Sequence, residues 1–174
     1  MNEVNSRTME FCRRWGIADA VMNCPFPADH PMDVVFMTSL GGFELARLER
    51  LAKRDQVPGR FSLMAVQICS QQWFDPMLRE LAASYPCVTL RHRCRLERFR
   101  IEGDGVVAEL TDLADGTSQT MAARYLVGCD GGDSMIRESL GIGLEGTEVL
   151  GRPLHMFFRT PDLFGRLGLR PGTF

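Results

Sequence analysis

Tyr125-Leu126-Val127-Gly128-Cys129-Asp130-Gly131-Gly132-Asp133-Ser134-Met135-Ile136-Arg137-Glu138-Ser139-Leu140-Gly141 is the stretch on which the reading of the fold turns. Its apolar opening reads as the end of a strand running from Thr120 to Cys129, its Asp-Gly-Gly centre as a turn, and the residues after Ser134 as a helix closed by Gly141. In open α/β arrangements ligands sit beyond the carboxyl ends of strands, where a helix start offers unpaired N–H groups and a partial positive charge. Gly131 and Gly132 would let a phosphate or ribose approach the backbone with no Cβ in the way. Asp130 would repel an anion but can accept hydrogen bonds from hydroxyl groups. The same residues also suit a plain strand-to-helix connection, in which Asp130 forms an Asx-turn and Ser134 caps the helix. Spacing alone does not choose between these two.

Upstream of the turn the pattern predicts three strands, Val88 to Phe99, Val106 to Thr111 and Thr120 to Cys129, with Glu102-Gly103-Asp104-Gly105 and Ala114-Asp115-Gly116 between them. Loops this short favour an antiparallel meander. Before it, Asp75-Pro76 reads as an N-cap followed by a first-turn proline, and Phe74, Met77, Leu78, Leu81, Ala82 and Tyr85 fall on one helical face that Pro86 ends. Nearer the start, Ser6 is placed to cap a helix over Arg7 to Trp15, stopped by Gly16, with one further short turn over Ile17 to Met22. Asp33 to Thr38 and Phe43 to Leu48 flank Gly41-Gly42 as a hairpin, and the mixed charge of Arg47 to Arg60 reads as a solvated connection. Beyond the turn, Pro153 to Thr160 reads as one more strand.

The 174 residues suffice for a sizeable core, and 45% hydrophobic with 24% charged residues argues against disorder. A net charge of −2 leaves no electrostatic footprint for nucleic acid or an anionic membrane. No apolar run reaches the roughly 20 residues that cross a bilayer, and MNEVNSRTME lacks the pattern of a signal peptide, so the expected location is cytoplasmic. Cys12, Cys24, Cys69, Cys87, Cys94 and Cys129 stand singly, with no metal-ligand spacing, and are read as buried thiols. His30, His92 and His155 have no partner at a telling spacing. Arg91, Arg93 and Arg95 alternate on one side of a strand, but Glu97, Glu102 and Asp104 interrupt the positive field, so these arginines read as the solvated face of the meander.

Val127 to Arg137, with Asp130-Gly131, Ser134 and Arg137, resembles the second flavin fingerprint of FAD-dependent aromatic-ring monooxygenases of the para-hydroxybenzoate hydroxylase class. Arg7-Thr8-Met9-Glu10 with Arg13-Arg14-Trp15-Gly16-Ile17 is similar to the helix after that family's first flavin-binding unit. Gln71 resembles its FAD-contacting glutamine, with Gln72 the alternative one residue on, and Asp75-Pro76-Met77-Leu78-Arg79-Glu80-Leu81 resembles the helix that follows. The four matches come in the family's order over about residues 5 to 160.

The resemblance implies an α/β fold: part of a flavin-binding Rossmann-like domain with an inserted antiparallel meander over 1–150, then the start of a substrate-domain sheet over 151–174. It implies FAD held in part by Gln71, Cys129, Asp130 and Gly131, with NAD(P)H and O₂ hydroxylating a small aromatic or phenolic substrate. No residue is assigned as acid, base, nucleophile or metal ligand, because in this family the flavin carries the oxygen chemistry. Two departures bear on that reading. Asp133 stands where related sequences often carry a basic residue, which weakens any pull on a dinucleotide phosphate. The GxGxxG start and the later Gly-Asp motif are both missing, so the chain reads as an internal part of a longer enzyme. The alternative is a truncated, non-catalytic piece that binds no flavin alone and self-associates through an unpaired sheet edge.

Overall fold

The computed structural model describes residues 3–147, 151, 154 and 159–172, and it divides into two compact units, Met1–Leu90 with Phe158–Phe174 and Arg91–Phe157. Helices and sheets are mixed, and among the described residues every strand pairing is antiparallel. Of the strand expected over Pro153 to Thr160, Leu154, Arg159 and Thr160 are described and are not in a strand, while the rest, with His155, lies outside the described residues.

In the first unit, β1 (Glu3–Val4) pairs with β4 (Gln67–Ile68), and α1 (Ser6–Arg14) follows β1 at once. The cap of α1 is Asn5 rather than Ser6: the Asn5 side chain accepts the Thr8 N–H at 2.8 Å. Met9 and Cys12, one turn apart, point inward, while Arg13 and Arg14 complement the dipole at the far end. The short α2 (Ala18–Met22) buries Ala18 and Val21 against them. Val4, Cys24, Cys69 and Phe74 complete this apolar core.

The helix α3 (Gln71–Ala83) begins a full turn before the Asp75-Pro76 signal. The Ser70 carbonyl accepts from Trp73 N at 2.9 Å and Phe74 N at 3.0 Å, which closes the first turn upstream and leaves Pro76 inside the helix. A proline there removes one backbone hydrogen bond, and packing of Phe74, Trp73, Met77 and Leu78 on the core offsets that loss.

The hairpin is formed by β2 (Val34–Met37) and β3 (Glu44–Leu48), with a register shift between Phe36 and Met37. The 47–60 segment is not uniformly solvated as expected. Arg47 donates to Asp33 Oδ2 at 2.9 Å, to both Glu44 oxygens at 3.0 and 2.8 Å, and to the Pro171 carbonyl at 3.0 Å, with 6% of its side chain exposed. Lys53, in a 3₁₀ turn over Lys53–Asp55, is buried too. Both cations are matched by inward-facing acceptors, which the local sequence does not reveal.

The second unit is built on the meander β5 (Cys94–Glu102), β6 (Gly105–Asp112) and β7 (Ser118–Ala123), with Val106 and Ala108 buried on one face. Its strands differ from expectation at both ends. Arg91 and Arg93 precede β5, and Arg93 takes φ 54°, outside strand geometry. Arg95, Arg98 and Arg100 pair with Glu97, Glu109 and Glu102. The strand expected to run on to Cys129 stops at Ala123. Residues 125–130 have no ladder partner among the described residues, and Tyr125 and Val127 are exposed. A strand without a partner leaves its backbone groups to solvent, so hydrophobicity alone does not make one.

Candidate functional site: the Asp130 turn

From Gly128 the chain turns into α4 (Met135–Ser139) through a loop closed by its own side chains. Ser134 is the N-cap, and its hydroxyl accepts the Arg137 N–H at 3.0 Å while donating to Asp130 Oδ1 at 2.6 Å. The other Asp130 oxygen accepts the Ile136 N–H at 3.3 Å. The Ser134 hydroxyl is the main reason the Asp130 carboxyl is held below the usual carboxylate range, with the Ile136 N–H adding to the effect.

Arg137 clamps the loop from the other side. Its guanidinium donates to the Gly132 carbonyl and the Ile142 carbonyl, each at 3.0 Å, joining the segment before α4 to the segment after it. Its Nε is buried and has no hydrogen-bond partner, and Glu138 lies 3.5 Å from its outer nitrogen.

Two glycines fit two different demands. Gly131 has φ 84°, in the left-handed region, with open space where a Cβ would be. At Gly128 the restriction is crowding: a Cβ would sit 3.1 Å from Ile136 Cδ1 and 3.2 Å from both Ile136 Cβ and Asp130 Oδ1.

Of the sequence-predicted residues, Cys129, Asp130 and Gly131 come together as consecutive, exposed positions of this turn, in the second unit. Gln71 is the exposed first residue of α3 in the first unit. The expectation that all six cysteines are buried holds for Cys12, Cys24 and Cys69 only; Cys94 is half-buried, and Cys87 and Cys129 are exposed. Among the described residues no group of three His, Cys, Asp or Glu side chains is arranged to hold a metal, and no helix is long and apolar enough to cross a membrane.

The chemistry of this donor set is selective. The helix-start N–H groups of Ile136 and Arg137 already have acceptors in Asp130 and Ser134, so the start of α4 is not an open phosphate cradle. Asp130 is exposed at the surface, and Gly131 and Gly132 have nothing within 4 Å of a Cβ position. Such a surface suits a hydroxyl-bearing ligand lying along the backbone. The residues therefore fit a polyol flank of FAD and do not fit its pyrophosphate.

Residues 2–164 match the family described as FAD binding domain. The chain belongs to that family. It is 30% identical to the FAD-dependent monooxygenase apdD of Emericella nidulans, over 94% of this chain and 27% of that protein. It is also 30% identical to the 4-methyl-5-nitrocatechol 5-monooxygenase of a Burkholderia species, over 88% of this chain and 28% of that protein. Among solved structures, K252c-soaked RebC superposes with a TM-score of 0.79 and 33% identity, covering 99% of this chain and 33% of that one. The chain thus spans a third or less of the length of these relatives. What single-sequence reasoning missed at the site is the Arg137 clamp; the signal available was an arginine three residues after a capping serine.

Proposed function

We propose that the chain supplies one flank of the flavin site of a monooxygenase that hydroxylates an aromatic or phenolic substrate with NAD(P)H and O₂. The observation that carries this reading is the Asp130 turn: an exposed carboxylate on an open glycine backbone, held rigid by Ser134 and Arg137, inside a chain of the FAD-binding family. When bound, FAD would supply the redox chemistry that no side chain here can. Asp130 accepts hydrogen bonds from its hydroxyl groups, Gly131 and Gly132 give it backbone room, and Cys129 flanks it. The Rossmann-like arrangement with an inserted meander, and a substrate-domain sheet starting near residue 151, belong to the same reading. Asp133 beside the turn disfavours a second anionic dinucleotide there, so NAD(P)H would be held weakly at this point.

The test is a titration of FAD into the isotopically labelled chain, followed by amide resonances. Two or three hydrogen bonds at a net ~1 kcal/mol each barely offset the ~4 kcal/mol or more needed to immobilise so large a ligand, so affinity no tighter than about millimolar is expected. The shifts should centre on residues 129–131, and Asp130→Ala should abolish them. Shifts that avoid the turn, or that survive Asp130→Ala, would overturn the reading. A purified chain that is colourless and does not oxidise NAD(P)H with phenols agrees with a flank rather than a whole site.

A further inference from the structure

Residues 163–172 return to the first unit and run along one face of the β2–β3 hairpin, from its turn towards its base. They open with α5 (Leu163–Leu167), which ends at Gly168 with φ 63°. Leu167 Cδ2 stands 3.9 Å from the Cβ position of Gly41 at the hairpin turn, Arg170 lies 3.6 Å from Glu44, and the Pro171 carbonyl accepts from Arg47 at 3.0 Å. Gly172 closes the row: a Cβ on it would sit 2.8 Å from Val35 Cγ2, 3.2 Å from Arg47 Nη1 and 3.6 Å from Asp33 Cβ. Among the described residues no strand ladder joins this segment to β2 or β3. The face beneath it is covered all the same. Val35 is 4% exposed, whereas Phe36, on the opposite face of the same strand, is 51% exposed.

Arg47 lies opposite Val35 in the hairpin register and shares that face. Asp33 and Glu44 hold its guanidinium against the hairpin, which fixes the direction of the N–H that reaches Pro171, 124 residues away in sequence. The segment it grips has little order of its own. A helix of five residues is not stable alone in water, so the order of α5 depends on what it is packed against. The hairpin keeps its ladder whether or not the segment is in place.

We propose that residues 163–172 are a releasable strap and that Arg47 is the latch holding it on the hairpin. The second unit, Arg91–Phe157, lies in the chain between the body of the first unit and this strap. With the latch closed, the unit that carries the Asp130 turn is tethered at both of its ends; with the latch open, it is tethered at one. Opening of this kind belongs to the low-energy end of local unfolding, because it breaks a few side-chain contacts and leaves the core around Met9 intact. The inference stands on the Arg47 and Gly172 contacts and does not depend on the flavin reading.

The experiment is hydrogen exchange with mass spectrometry on the purified chain, with the rate of trypsin cleavage after Arg166 as a second readout. In the unaltered chain the locally bonded amides of Arg166, Gly168 and Leu169 should be protected. Arg47→Met should speed their exchange, and the cleavage, about tenfold or more through loss of one hydrogen bond from a charged donor. The α1 amides should stay protected. Gly172→Ala breaks the same contact from the other side: Val35 is branched and stiff, so the strap has to move, with Arg47, Asp33 and Glu44 all in place. It should give the same local acceleration. Arg170→Gln removes only the exposed pair with Glu44 and should change exchange by about twofold at most. Strap amides that exchange freely in the unaltered chain, or that do not respond to Gly172→Ala, would overturn the proposal. So would a response to Arg170→Gln as large as that to Arg47→Met. If Arg47→Met exposes α1 as well, Gly172→Ala decides: acceleration confined to 163–172 supports the strap, and its absence refutes it.

Discussion

The core around Met9 and the turn around Asp130 are ordered by different forces. Met9, Val4, Val21 and Cys12 are wholly removed from solvent, and their positions follow from apolar burial between α1, α2 and α3. The Asp130 turn has almost no apolar burial: Cys129, Asp130, Gly131 and Gly132 are exposed, and the segment is shaped by hydrogen bonds from Ser134 and Arg137. A packed core resists through volume, so errors in it are felt by the whole unit. A hydrogen-bonded turn resists through a few directed contacts, and its errors stay local while its surface remains open to a ligand.

The sharpest way to break this contrast is at Met9. Met9→Ala should cost about 2–5 kcal/mol of global stability, read as a shifted urea midpoint. A loss below 1 kcal/mol would mean the core repacks, and the contrast would fail. At the turn, Arg137→Ala should cost about 1–3 kcal/mol, because both carbonyl contacts go with the guanidinium. Hydrogen exchange should then speed up over residues 132–142 while α1 stays protected, and acceleration spread through α1 would show the two regions to be one cooperative block. Ser134→Ala should cost about 1 kcal/mol as a lost N-cap, seen first at the amides of Ile136 and Arg137.

The smallest effect comes from pH. The folded-state value of Asp130 is depressed, so its contribution is fully present above the ordinary carboxylate range and is lost as pH falls through the folded value. Carbon-13 titration of its carboxyl group should report a midpoint below ~3.9, and Ser134→Ala should raise it towards that value. A midpoint unmoved by Ser134→Ala would mean that the hydroxyl is not what holds the carboxylate.

Local signals in the sequence were enough for α1 up to Gly16, for the hairpin across Gly41-Gly42, and for the order of the meander, since a stop or turn residue stands at each junction. They failed where the deciding partner is distant in sequence. Asp75-Pro76 has the form of a helix start, yet the first turn closes on Ser70, where Phe74 meets the core. Tyr125 to Cys129 has strand composition, but a ladder needs a neighbour that composition cannot supply. Arg47 and Lys53 read as solvated because charge usually is, and the acceptors that draw them inward come from Asp33 and Cys24. The site follows the same division: the Asp130–Ser134 cap spans four residues and was legible as one of two readings, whereas the hold of Arg137 on Gly132 and Ile142 depends on the path of the loop.

Gly128 turns one contact into a rule for sequence drift. A methyl group there meets Ile136 at 3.1 Å, so the pair shares a fixed volume across the mouth of the turn. Trimming position 136 removes only its Cδ1, because Ile136 Cβ and Asp130 Oδ1 each stand 3.2 Å from the same point, so a lineage that keeps Asp130 against the start of α4 should keep glycine at 128 whatever side chain it carries at 136.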